Sequence, residues 1–188
     1  MRTLLLFRGA PGCGKSTYIK EHNLEQYVLS ADTLRLMSQS AQETSAGQME
    51  ISPQNDDVVW DMLFKLLEVR MSHGEFTVID ATNSKTVEMN RYKNLAKQYR
   101  YRMYVIDMTD LPIDECKRRN AQREWLKRVP EAAIDKMYAR FATQKVPSGV
   151  TVLPSTTDVM SVLNYYPNDF NQWKKIPIIG DVLGCYTC

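Results

Sequence analysis

The stretch LLLFRGAPGCGKST, Leu4 to Thr17, constrains this chain more than any other. An apolar run ends at Arg8, and three of the chain's eight glycines then fall within six positions, Gly9, Gly12 and Gly14. The order is that of a buried strand, a tight loop and a helix. Gly9 to Ser16 fits G-x-x-x-x-G-K-[ST], the Walker A phosphate loop. Backbone N–H groups converge on a phosphate only where side chains leave them room, and the helix that follows adds its positive end. Gly12, Cys13, Gly14, Lys15, Ser16 and Thr17 are therefore the expected nucleotide contacts. Lys15 is expected to neutralise the β and γ phosphates, and the Ser16 hydroxyl to ligate Mg²⁺. Cys13, at a helix N-terminus, is expected to be a thiol that maleimide attacks and Mg-ATP shields.

Beyond the loop, strand-like runs alternate with helical ones. YVLS (Tyr27–Ser30), FTVID (Phe76–Asp80), RMYVIDM (Arg102–Met108) and a weaker GVTVLP follow the first strand, with helical segments between them. Such alternation requires crossover connections and predicts an α/β fold with a parallel sheet covered on both faces. In DDVVWDMLFKLLEVRMSHG, Val58, Val59, Met62, Leu63, Leu66 and Leu67 form the predicted apolar face. Ser38 to Asn55 is polar and aperiodic and reads as a loop. Pro112 and Pro130 each open a predicted helix, the first of them basic.

A chain of 188 residues suits one domain with a substantial core. A net charge of +2 gives no bulk attraction for a polyanion, so any nucleic-acid contact rests on a local patch. No apolar run approaches the roughly 20 residues that cross a bilayer. Four cysteines without disulfide or zinc spacing imply free thiols and a cytoplasmic setting. GTPase signatures are missing after the loop: Asp181-Val182-Leu183-Gly184 fits D-x-x-G, but no base-recognition motif follows. That leaves a small kinase, which needs a base for the acceptor hydroxyl and cations over the transferring phosphate.

GAPGCGKST, LSADTLR, VIDATN and RRNAQR, in that order and spacing, resemble the 5′-hydroxyl polynucleotide kinases of phage and bacterial nucleic-acid repair, over roughly Leu4 to Met137. The resemblance implies an adenylate-kinase-like P-loop fold with an Arg-bearing helical lid. It implies transfer of the γ-phosphate of ATP, or another NTP, to the 5′-hydroxyl end of RNA or DNA, with Mg²⁺. Phosphatase or ligase modules of a repair pathway would be the partners. Asp32 matches the general base, and Arg35, three residues on, the arginine that holds the acceptor's phosphate. Asp32 also suits a helix-capping aspartate with a helical ion-pair partner. Asp80 matches the acid that supports Mg²⁺, while Asn83 either lines the site or caps the next helix. Arg119 and Arg123 match the lid arginines, and a spacing of four puts both on one helix face. With Lys117, Arg118, Lys127 and Arg128 alongside, a solvated basic face is the plainer alternative. Tyr99 and Tyr101 are candidates for base stacking or simple strand-edge residues. A small-molecule kinase of the same fold, acting on a sugar, nucleoside or antibiotic hydroxyl, shares every loop feature. A nucleotide-gated binding module is a third reading.

Residues 1–170 are expected to form the kinase domain and 171–188 a tail. In the tail, IPIIGDVLG resembles the first motif of calcineurin-like metallophosphoesterases, G-D-x-H-G. Leu183 stands where that motif has its metal-binding histidine, so the tail is either a stub of such a domain or a plain terminal strand and turn.

Overall fold

The computed structural model describes residues 2–43, 49–51 and 55–163; the tail from Asn171 lies outside them. Strand β1 (Thr3–Arg8) is buried along its whole length, as a central parallel strand covered on both faces must be. It leads through the glycine loop into α1 (Lys15–Glu21). Next come β2 (Val28–Ser30) and α2 (Ala31–Ser38), whose Ser30 Oγ accepts the Thr33 N–H at 3.4 Å and so caps the helix. A short antiparallel pair follows, β3 (Gln42–Glu43) with β4 (Met49–Glu50), inside the segment expected to be loop. Two-residue strands carry no readable period, which is why the sequence pattern passes over them.

Helix α3 (Asp56–Ser72) has Asp56 and Asp57 in its first turn, where the helix dipole favours acids. It precedes β5 (Thr77–Asp80), α4 (Thr86–Gln98) and β6 (Arg102–Asp107). The chain continues through α5 (Ile113–Ala121), α6 (Glu131–Thr143) and β7 (Thr151–Pro154). Pro112 and Pro130 are the residues immediately before α5 and α6. The five strands of the main sheet pair in parallel in the order β2-β5-β1-β6-β7. This is the expected α/β P-loop sheet. Its order reverses at β1, so the crevice at that strand's carboxyl end is where such sheets bind ligands.

One face of the sheet packs Leu4, Leu6, Ile79 and Val105 against α3 and α4, with Met89, Tyr92 and Leu95 from α4. The face α3 turns inward is rotated from the one its sequence suggests: Met62 packs half-buried against the core as expected, and Trp60 and Phe64 join it. Val59, Leu63, Leu67 and Met71 are buried, while Val58 and Leu66 are 56% and 42% exposed. Steps of four keep one edge of each adjacent apolar pair inside and leave its neighbour at the rim. On the opposite face, Phe7 meets the ring of Tyr18 edge-on at 5.4 Å.

Arg8 ends β1 as a buried cation. It pairs with Asp107 at 2.9 Å, donates to the Gln144 carbonyl at 2.7 Å and lies 4.9 Å over the Phe141 ring. One side chain thus ties β1, β6 and the end of α6 together. The sheet and these helices lie in one unit, Met1–Thr157; a second begins at Asp158 with α7 (Val159–Leu163).

Candidate active site

The phosphate loop is shaped by contacts that only glycine permits. Gly12 has φ +85°, and a Cβ there would lie 2.2 Å from the Cys116 carbonyl oxygen, so the loop backbone rests directly on α5. At Gly14 (φ +108°) there is open room, and the nearest atom to a Cβ would be Nη1 of Arg119, at 3.9 Å. The loop therefore has Arg119 beside its last glycine. Lys15 Nζ donates to the carbonyls of Gly9 and Ala10 at 2.8 and 2.9 Å, spanning the loop from within. Ser16 and Thr17 stand exposed on the first turn of α1.

Cys13 departs from expectation. Its side chain is buried, with Sγ 4.0 Å from Met108 Sδ and 3.6 Å from Lys15 Nζ. The thiol serves as a small apolar plug under the loop rather than an open nucleophile, because the loop's curvature turns this position inward.

The loop after β5 is fastened to the phosphate loop. The Gly9 N–H donates to the Thr82 carbonyl at 3.1 Å, and Asn83 Nδ2 donates to the Phe7 carbonyl at 2.7 Å. Asn83 is buried and held at φ +44°, a region Asn tolerates better than most residues. It neither caps α4, whose N-cap is Lys85, nor opens onto the crevice. It is a clamp that sets the height of one loop against the other.

Asp80 ends β5 beside Ser30 of β2, with which it is in register. Burial pushes its carboxyl above the ordinary range. The positive charges of Lys15 and Arg123 oppose that rise, and the negative charge of Asp32 adds to it. Charges from three other segments of the chain thus act on Asp80. A carboxylate whose ionised form is penalised by burial is relieved by a cation, so Asp80 and the Ser16 hydroxyl suit Mg²⁺, a hard ion that takes oxygen ligands and keeps waters. Among the described residues no group of three or more His, Cys, Asp or Glu gathers as a metal cage. A P-loop site, which completes the shell with phosphate oxygens, needs none.

Asp32 lies in the first turn of α2 with its carboxylate largely open to solvent. Arg35 donates from Nη1 to Asp32 Oδ1 at 2.7 Å and from Nε to Asp56 Oδ1, also at 2.7 Å. The Asp32–Arg35 pair follows from helical spacing. Asp56 does not, because it approaches from the start of α3, 21 residues away.

Arg119 and Arg123 are positioned differently from the predicted common face. α5 ends at Ala121, so Arg119 is on the helix and Arg123 lies beyond its C-cap, Gln122. The turn that carries Arg123 is closed by Asn120, a buried side chain that donates to the Val129 carbonyl at 2.8 Å and accepts the Val129 N–H at 3.1 Å. Asn120 lies within RRNAQR, where only the arginines drew a role from the sequence. On the helix, Glu115 accepts from Arg118 at 2.7 Å and from Arg119 at 2.6 Å, and these hydrogen bonds pull its carboxyl down to about 2. Tyr101 offers no stacking face: it is buried, and its hydroxyl donates to the Glu75 carbonyl at 2.9 Å. Tyr99 is half-buried against the core.

A family model described as an AAA domain, AAA_33, matches residues 4–144. No curated protein matches the chain. Among solved structures, a protein of Chloroflexus aurantiacus superposes with a TM-score of 0.61 at 15% identity, over 87% of this chain and 95% of its own. Kti12 of Chaetomium thermophilum, in complex with ADP-AlF3, gives 0.54 at 16% identity, over 80% of this chain and 88% of its own. A chain of the Pnkp1/Rnl/Hen1 complex gives 0.52 at 24% identity. That match takes in 63% of this chain and 38% of the other, so the present chain spans well under half of that relative.

Proposed function

The chain belongs to the AAA_33 family of AAA domains, and we propose that it is a phosphotransferase that moves the γ-phosphate of ATP to the 5′-hydroxyl end of a nucleic-acid strand. The observation that carries this reading is geometric: β2, β5 and β1 are neighbours, so Asp32 just past β2, Asp80 at the end of β5 and the phosphate loop after β1 all stand at one carboxyl edge of the sheet. Lys15 and Arg123 supply positive charge for the phosphates, with Arg119 beside Gly14. Asp32, largely exposed in the first turn of α2, is available to take a proton.

In the reaction, the acceptor oxygen bonds to the γ-phosphorus as the bond to the β,γ-bridging oxygen breaks, and ADP leaves. The proton of the acceptor hydroxyl passes to the Asp32 carboxylate. Ser16 and Asp80 would hold Mg²⁺, which when bound neutralises charge on the phosphates. Arg35, fixed beside Asp32, is placed to hold a phosphate next to the acceptor hydroxyl, and that pairing favours a nucleotide end over a sugar. No helix among the described residues is long and apolar enough to cross a membrane.

The test is transfer of labelled γ-phosphate from ATP to 5′-OH RNA and DNA oligonucleotides, with nucleosides and sugars in parallel. Label is expected on the oligonucleotides and lost in Lys15→Ala. Label on a sugar or nucleoside alone would assign the fold to a small-molecule acceptor.

A further inference from the structure

We propose that Asp56, the first residue of α3, is a positioning residue for the acceptor: it aims the Arg35 guanidinium at a phosphate on the strand whose hydroxyl Asp32 deprotonates. This rests on the reading above and deepens it.

Arg35 is the pivot. Its side chain is mostly buried, and it meets two carboxylates on different edges of the guanidinium. Asp32 takes Nη1 and Asp56 takes Nε, both at 2.7 Å. A long, rotamer-rich side chain held at two points has one orientation left. Arginine carries five N–H donors, and these two bonds leave Nη2 and the remaining Nη1 hydrogen for an incoming anion. An Asp32–Arg35 pair alone would be a one-point tether between neighbours on one helix turn, free to swing toward solvent. The second tether comes from another helix, α3, which packs against α2 through the core.

The charge balance points the same way. Two carboxylates on one guanidinium leave the trio net negative, so Arg35 is not a surplus cation that collects any anion. It discriminates by geometry: a phosphate is favoured only where it meets the free edge while a hydroxyl on the same molecule reaches Asp32. In an acceptor strand, that phosphate is the one 3′ to the nucleoside bearing the reactive 5′-hydroxyl. Asp56 would therefore set how strongly the enzyme prefers such acceptors over nucleosides that lack the phosphate.

The test compares wild type, Asp56→Asn, Asp56→Ala and Arg35→Ala. Adenosine 3′-monophosphate binding is measured by calorimetry, without turnover, beside steady-state kinetics on a 3′-phosphorylated acceptor and on adenosine. Asp56→Asn keeps an oxygen for the Arg35 Nε–H and should stay close to wild type in acceptor KM. Asp56→Ala removes the tether, and acceptor KM should rise about tenfold or more, with the KM for ATP and the KM for adenosine unchanged. Adenosine 3′-monophosphate binding should weaken in both Asp56→Ala and Arg35→Ala, most in Arg35→Ala, which removes the guanidinium itself. Melting temperatures of the four proteins separate a folding defect from a binding one. Equal loss in Asp56→Asn and Asp56→Ala, or a parallel rise in the KM for ATP, would overturn the proposal. If wild type transfers phosphate only to a sugar, the functional reading fails instead. If wild type labels oligonucleotides but does not bind adenosine 3′-monophosphate, the kinase reading stands and the role of Asp56 falls.

Discussion

At the scale of single residues, the site combines groups whose charges the fold does not welcome. Asp80 is the sharpest case, because burial, helped by the negative charge of Asp32, raises its pKa against the opposing charges of Lys15 and Arg123. A carboxyl with a folded pKa above its unfolded one binds its proton more tightly when folded. Its ionisation therefore costs stability, and the cost grows as pH rises from the ordinary carboxylate range through the raised value. Asp80→Asn should then melt higher than wild type at neutral pH, with the gap closing in acid, while phosphoryl transfer collapses. Paired melting curves across that range, with activity measured alongside, decide it. If the Asp80→Asn variant melts lower at neutral pH, attraction to Lys15 and Arg123 outweighs burial. The residues that sequence makes legible here are those in short local motifs: Lys15 and Ser16 by the loop spacing, Asp32 and Arg35 by one helix turn, Asp80 by its strand end. Asp56, Asn83 and Asn120 act through partners remote in sequence or through burial, neither of which a linear pattern carries.

At the scale of elements, the alternation of strands and helices was readable because each long strand is an unbroken apolar run flanked by turn residues. What sequence left ambiguous was the rotation of α3. Its paired apolar residues fit a wide face, whereas the structure buries only Val59, Leu63, Leu67 and Met71. The difference is measurable. Leu63→Ala or Leu67→Ala should cost about 2–5 kcal/mol, the range for emptying a packed leucine site. Leu66→Ala and Val58→Ala should fall within roughly 0.5 kcal/mol of wild type. Urea unfolding at unchanged m-value gives these figures, and comparable losses at Leu66 and Leu67 would contradict the observed rotation. The same helix carries Asp56 at its first residue, so its rotation bears directly on where Arg35 points.

At the scale of the whole molecule, the five strands of the sheet among the described residues end at Pro154, and the charges that act on Asp80 all come from residues before Arg128. Two accounts of the tail from Asn171 make opposite predictions. As the stub of a phosphoesterase domain it contributes little to the kinase fold, and a chain ending at Phe170 should melt and transfer phosphate like the full one. As a terminal strand it buries Ile176, Ile178 and Ile179, at about 1.5–3 kcal/mol each, a large share of the roughly 5–15 kcal/mol typical of a domain. Gly180-Asp181 and Gly184 favour the first account, because a plain strand has no use for glycines at that spacing and a metal-site turn does. Leu183, in place of the phosphoesterase motif's histidine, cannot ligate a metal. The shortened chain is expected to keep its melting temperature within a few degrees and its transfer rate within about twofold, since surface segments outside a core seldom contribute more than roughly 0.5 kcal/mol. A drop of many degrees would assign the three isoleucines to the kinase core and remove the phosphoesterase account of the tail.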